Sequence, residues 1–312
     1  MREIKLQLTQ TQKLRLQKVL ENLQSQSSLT NSDSSVTISD SISVNHEDSV
    51  LKGHGTTDHN GEIVATLCGI VERVNKLVYV RSSLRSRYKP EDGDIIIGRV
   101  VEVAQKCWRL DIKCSQNAYL MLSAMNMPDG VQRRRTALDE LNMRCIFQEA
   151  DVICAEVRRS QHDDIHLQAR SQKYGKLTAG QLVTVAPYLV KRRKQHFHHL
   201  EQYGVDLILG CNGFIWIGEH VEAKDNMVED QANLSDLHNY DALETRKYIC
   251  MAANAVRLLS TLGFIITLET IKEVIDLSIS ANLDIHDMFG SEFCVLVAEK
   301  EAAKRSSNKR KR

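Results

Sequence analysis

Four clusters in the 312-residue chain have the chemistry to hold a polyanion. Lys106, Trp108 and Arg109 stand at a predicted strand-to-strand turn, where two cations neutralise phosphate and an indole offers a face to an unpaired base. Arg133, Arg134 and Arg135 form a triplet in a long polar connection. Lys191, Arg192, Arg193 and Lys194 run into Gln195-His196-Phe197-His198-His199, so a cationic strip meets flat rings in a pattern suited to RNA or to an acidic protein partner. Gly210-Cys211-Asn212-Gly213 is a Gly-x-x-Gly loop, which lets a phosphate backbone come close where a Cβ would clash. Each cluster also has a plainer reading. Trp108 fits a barrel core, the arginines a solvated face, and Asn212-Gly213 a hairpin turn.

Other chemistries find less support. Asp163-Asp164, and Asp92 with Asp94, are paired carboxylates of the kind that hold magnesium for phosphodiester hydrolysis, but both pairs lie at polar turns without a spaced acidic set. Adjacent His198 and His199 lack helical i, i+4 spacing and a cysteine or carboxylate set to complete a shell, so no metal is expected. Walker loops, Ser-His-Asp order and His-Glu-x-x-His are absent, so no catalytic residue and no cofactor are assigned. The eight cysteines include no Cys-x-x-Cys pair, which points to reduced thiols in an intracellular setting rather than a zinc ribbon. The start, MREIKLQLTQTQKLRLQ, has no unbroken apolar run of the kind a secretion signal carries, and no stretch reaches the ~18 apolar residues of a membrane span.

The elements that must position these clusters are mostly short strands. With 42% hydrophobic residues the chain can build two or three small cores, and 41 basic against 40 acidic side chains leave any polyanion signal to local patches. Residues 1–24 contain a helical stripe at Leu16, Val19, Leu20 and Leu23. Residues 25–50, with ten serines between 25 and 49, read as a linker or a partner-draping arm too polar to pack a core. A β-domain is expected over 51–92 and a five-stranded Greek-key barrel of the OB class over 93–172, built from DIIIGRVVEVA, CWRLDIKC, AYLMLSAM, DVICAEVRR and IHLQAR. Residues 173–300 mix strands with helices near 241–260 and 268–280, the second with capping-box spacing at Thr270 and Glu273. The basic tail, 301–312, ends in KRSSNKRKR and is expected to be disordered.

Taken in order, NHEDSVLKGHGT, GDIIIGRVVEVAQKCWRLDI, MNMPDGVQRRRTALDELNMRCIF, LQARSQKYGKL and GCNGFIWIG closely resemble the cap subunit of the eukaryotic RNA exosome called ribosomal RNA-processing protein four, in a plant-like form. The resemblance spans almost the whole chain. It implies a multidomain β and α+β fold: an N-terminal β-domain, an S1-type OB barrel and a KH-like α+β domain with a Gly-x-Asn-Gly loop at Gly210, Asn212 and Gly213. It also implies a non-catalytic, hetero-oligomeric role, stabilising a ring of subunits beside other cap subunits and guiding single-stranded RNA 3′ ends to an exoribonuclease for rRNA processing and RNA degradation. No membrane is involved, and the nucleus and nucleolus, with the cytoplasm, are the expected locations. The strand-like flanks of the glycine loop favour an architectural role for it over phosphate gripping. A free-standing single-stranded RNA-binding regulator is the alternative, and a metal-dependent nuclease a distant third.

Overall fold

The computed structural model describes residues 8–27, 35–43, 51–59, 61–74, 76–81, 87–126, 135–161, 164–171, 173–220 and 235–310. They divide into a unit within residues 8–81 and 295–310, and a unit within residues 87–294.

The first unit opens with α1 (Gln10–Ser27), then β1 (Ser35–Val36), β2 (Ser41–Ile42), β3 (Leu51–Lys52), β4 (Thr56–His59), β5 (Glu62–Ala65), β6 (Gly69–Val74) and β7 (Leu77–Arg81). Two small sheets form, in the orders β1-β6-β7-β3 and β2-β5-β4. Their core is Ile42, Ala65, Val78 and Val80, with Val36, Ile63, Leu67 and Val71 against it. The serine-rich segment therefore does more than link. Its few β-branched residues, Val36 and Ile42, are enough to add a strand to each sheet, whereas residues 28–34 and 44–50 lie outside the described set. Arg15 of α1 forks onto Glu299 of the C-terminal helix, Nε to Oε1 at 2.8 Å and Nη2 to Oε2 at 2.7 Å.

The second unit begins with the barrel: β8 (Ile95–Ala104), β9 (Cys107–Asp111), β10 (Ala118–Met125), short helices α2 (Ala137–Leu141) and α3 (Met143–Ile146), β11 (Val152–Gln161), β12 (Asp164–Ala169) and β13 (Gly175–Lys176). Antiparallel β8–β9, β9–β10, β11–β12 and β8–β11 pairs close through a parallel β10–β12 pair, giving the five-stranded S1 form of the OB barrel, and β13 extends β11. Strand alternation sends Ile96, Trp108, Leu110, Leu120, Ile153 and Leu167 inward, all essentially without solvent contact.

The KH domain follows as β14 (Gly180–Thr184), β15 (Phe197–Leu200), β16 (Val205–Leu209), β17 (Phe214–Glu219), α4 (Ser235–Thr261) and α5 (Leu268–Ser280); the C-terminal helix α6 (Ser291–Arg310) then belongs from Val295 onward to the first unit. Its antiparallel sheet runs β14-β17-β16-β15. One face, with Val183, Val205, Leu207, Leu209, Ile215 and Ile217, is buried on the side that α4 packs against. Helix α5 spans the expected 268–280, but Thr267 caps it and Thr270, not Glu273, supplies the returning bond. Helix α6 runs through Arg310, so the basic tail is helical up to there rather than disordered.

Candidate nucleic-acid interface

The glycine loop is where structure departs furthest from a phosphate clamp. Asn212 is fully buried between the KH sheet and the barrel. Its Nδ2 donates to the carbonyls of Ile97 at 2.6 Å and Ile112 at 3.1 Å, both in the barrel, while its Oδ1 accepts from the amides of Ile97 and Phe214 at 3.5 Å. The amide of Cys211 adds a bond to the Ile95 carbonyl at 2.9 Å. The two glycines are required by crowding. A Cβ at Gly210 would come within 2.5 Å of the Phe214 carbonyl, and one at Gly213, where φ is +80°, within 2.5 Å of the Val185 carbonyl. Gly210, Asn212 and Gly213 thus face protein and have no phosphate-accessible surface.

Around this loop the two domains share an apolar seam of Ile97 and Cys154 from the barrel with Ile208, Phe214 and Trp216 from the KH sheet. Two cations fasten its edges. Lys113 reaches from the barrel to the Val185 carbonyl at 2.9 Å and sits 5.1 Å from the centre of the Phe214 ring, where burial pushes its ammonium below the usual lysine range. Arg192 forks onto the buried Asp94 at 2.8 and 3.0 Å, bonds the Lys89 carbonyl at 2.9 Å and pairs with Glu91 at 3.0 Å. Tyr88 donates its hydroxyl to the same Asp94, and burial first, then that carboxylate, raises the phenol well above its ordinary range. Of the strip Lys191–Lys194, then, Arg192 is committed to the seam, and Lys191, Arg193 and Lys194 are exposed. The buried thiol of Cys211 lies 3.7 Å from His196 Nε2 but is pushed up to about 12 by burial, so it stays protonated and is no nucleophile. His196 itself bridges the Leu209 carbonyl and the Arg193 amide.

On the barrel, Trp108 is corrected from a stacking face to a core residue. It has no exposed surface, packs edge-on to Phe147 at 5.2 Å and donates its indole N–H to the Phe147 carbonyl at 3.2 Å. Its neighbour Arg109 points the other way, as alternation requires, and lies 5.8 Å from the centre of the Tyr119 ring while its Nη1 meets Glu102 at 2.8 Å. Register places Tyr119 between Arg109 and His166, whose ring is 6.4 Å from it. This row crosses the second, third and fifth strands of the barrel, and the face over the second and third is where OB folds take up oligonucleotides. Lys106 occupies the adjoining β8–β9 turn, 3.2 Å from Glu140 of α2. Arg135 is turned onto the carbonyls of Leu122, at 3.2 Å, and Met125, so it orders the connection after β10. Arg133 and Arg134 lie outside the described residues.

The structure therefore brings Lys106, Arg109 and Arg135 to β9, β10 and their flanking turns, keeps Lys191, Arg193 and Lys194 exposed near the seam, pairs the part-exposed Arg192 with Asp94 and Glu91, and buries Trp108, Gly210, Asn212 and Gly213. Sequence reading missed Tyr119 and His166, which the outward parity of Arg109 would have found. It also left His199 without a completing carboxylate, whereas folding brings Asp206 and His220 to it. Of the acidic pairs, Asp92 accepts the Ser160 amide at 2.9 Å, Asp94 serves the seam, Asp164 is exposed at the start of β12, and Asp163 is outside the described residues.

Comparison with known proteins agrees with this division. Residues 87–159 match the family model described as RRP4, S1 domain, and residues 180–223 match a KH domain model. The exosome complex component RRP4 homolog of Arabidopsis thaliana is 59% identical over 100% of this chain and 99% of its own length. The exosome complex component rrp4 of Schizosaccharomyces pombe is 40% identical over 75% and 76%, and RRP4 of Mus musculus 47% identical over 68% and 71%.

Proposed function

Since the chain belongs to the exosome complex component RRP4 family, we propose that it is a non-catalytic RNA-binding cap subunit of an RNA exosome. In this reading it stabilises a ring of subunits, contacts other cap subunits, and guides single-stranded 3′ ends to a 3′-to-5′ exoribonuclease in rRNA processing and RNA degradation. The observation that carries the proposal is the end-to-end similarity to a protein named as an exosome component, 59% identical over 100% of the chain.

The geometry supports a guiding role. Asn212, Lys113 and Arg192 hold the barrel and the KH domain at a fixed angle, so an RNA strand would meet one rigid body. Lys106, Arg109, Tyr119 and His166 give that body cations and flat rings for the phosphates and base faces that every sequence presents, which suits a subunit that passes many sequences along. The basic end of α6 supports a location in the nucleus and nucleolus as well as the cytoplasm.

Affinity purification of the tagged chain at physiological salt, with mass spectrometry of its partners and an RNA degradation assay on the isolated chain, tests the proposal. Ring subunits should co-purify, and the chain alone should leave RNA intact. Recovery of a lone protein would favour a free-standing RNA-binding regulator, and magnesium-dependent cleavage by the isolated chain would overturn the non-catalytic assignment.

A further inference from the structure

The KH sheet face that carries Phe214, Trp216 and Ile208 against the barrel continues outward along the same strands, and there its composition changes. Register sets His199 of β15 directly opposite Asp206 of β16, and Asp206 opposite Gly218 of β17. His220 lies two residues beyond Gly218, on the same face by strand alternation, and its amide bonds the Gly204 carbonyl at 3.1 Å, prolonging the ladder. Two imidazoles thus converge on one carboxylate. His199 Nδ1 is 2.7 Å from Asp206 Oδ1, and His220 Nδ1 is 3.0 Å and 2.9 Å from its two oxygens. The rings face each other with centroids 4.0 Å apart.

We propose that His199, Asp206 and His220 form a binding site for one divalent transition-metal ion of the zinc type. Their donor atoms lie within 4.8 Å of one another. A tetrahedral ion ~2.0 Å from each ligand needs donors roughly 3.3 Å apart, so rotating the two imidazoles to bring their nitrogens together by up to about 1.5 Å admits it. Two nitrogens and one oxygen suit zinc, nickel or copper and not magnesium or calcium, which take oxygen shells. Water carries the Nδ1 proton of each ring to its other nitrogen, which frees the Nδ1 lone pair for the metal with no net change in protons. The three side chains are 36%, 37% and 39% exposed, open to an ion from water, and a water completes the fourth position. Because each ligand comes from a different strand segment, the ion ties β15, β16 and the end of β17 together beyond the reach of the seam.

The test is zinc titration of the full-length chain by calorimetry, after chelator treatment and dialysis, beside His220→Gln and Asp206→Asn. The wild type should show a one-to-one site that weakens by roughly 100-fold in His220→Gln, since even indirect changes around a metal cost about 10–100-fold. Zinc should also raise the thermal midpoint of the wild type and leave that of the variants unmoved. A tight site unchanged by both substitutions would place the zinc on thiols or other histidines and overturn the proposal. Should His220→Gln fail to fold, histidine-ring NMR of the wild type decides: zinc-induced shifts at His199 and His220 support the site, and shifts confined to other rings refute it.

Discussion

The two ends of one sheet face, three strands wide, make opposite use of polar side chains. Under the barrel, Asn212 is completely buried and every contact it makes is with backbone of a neighbouring segment. At the outer rim, Asp206 is part-exposed and its partners are two part-exposed side chains. The difference lies in what water offers as an alternative. A buried amide has only the protein to bond, so its partners fix the domain angle, whereas rim groups can trade a protein partner for water or an ion at small cost.

Removing Asn212 should break the buried end most severely. Asn212→Ala strands the carbonyls of Ile97 and Ile112, each at a cost of about 1–3 kcal/mol, so a loss of roughly 2–6 kcal/mol is expected in denaturant unfolding of the full chain. A loss below about 1 kcal/mol would mean that water reaches the seam. Arg192→Ala comes next. It leaves Asp94, 6% exposed, without its guanidinium, but Arg192 is itself 43% exposed, so the cost should fall to about 2 kcal/mol, below the ~3–5 of a fully buried pair. Asp94→Asn in the same background should restore much of it, because the stranded charge is then gone. Smallest is the rim: with metal removed, Asp206→Asn should shift stability by less than about 1 kcal/mol, as half-exposed pairs do. An effect equal to that of Asn212→Ala would erase the contrast between the two ends.

Legibility followed the same division. Strand content and the barrel were readable because alternation in IIIGRVVEVA and AYLMLSAM is local and each strand is bounded by polar turns. The glycine loop was visible as a motif, but what its asparagine bonds was not, since Ile97 and Ile112 carry no side-chain signal for a backbone carbonyl acceptor. Trp108 and Arg109 were grouped as neighbours in sequence although strand parity puts them on opposite faces. The rim site was hidden for a related reason. His199 and Asp206 become partners only through the hairpin between them, and His220 only through the next strand over.

The bond from Asn212 to Ile97 joins positions 115 residues apart. Closing so long a loop is entropically costly and slow, while the barrel's widest strand pairing, β8 with β11, closes about half that length and its strands leave the ribosome before the KH domain. The barrel is therefore the template on which the glycine loop is moulded, and the KH domain reaches its final packing late in synthesis. A chain stalled or cut between Ala179 and Gly210 would still hold a finished barrel, but one whose Ile97 and Ile112 carbonyls wait for a partner that never arrives.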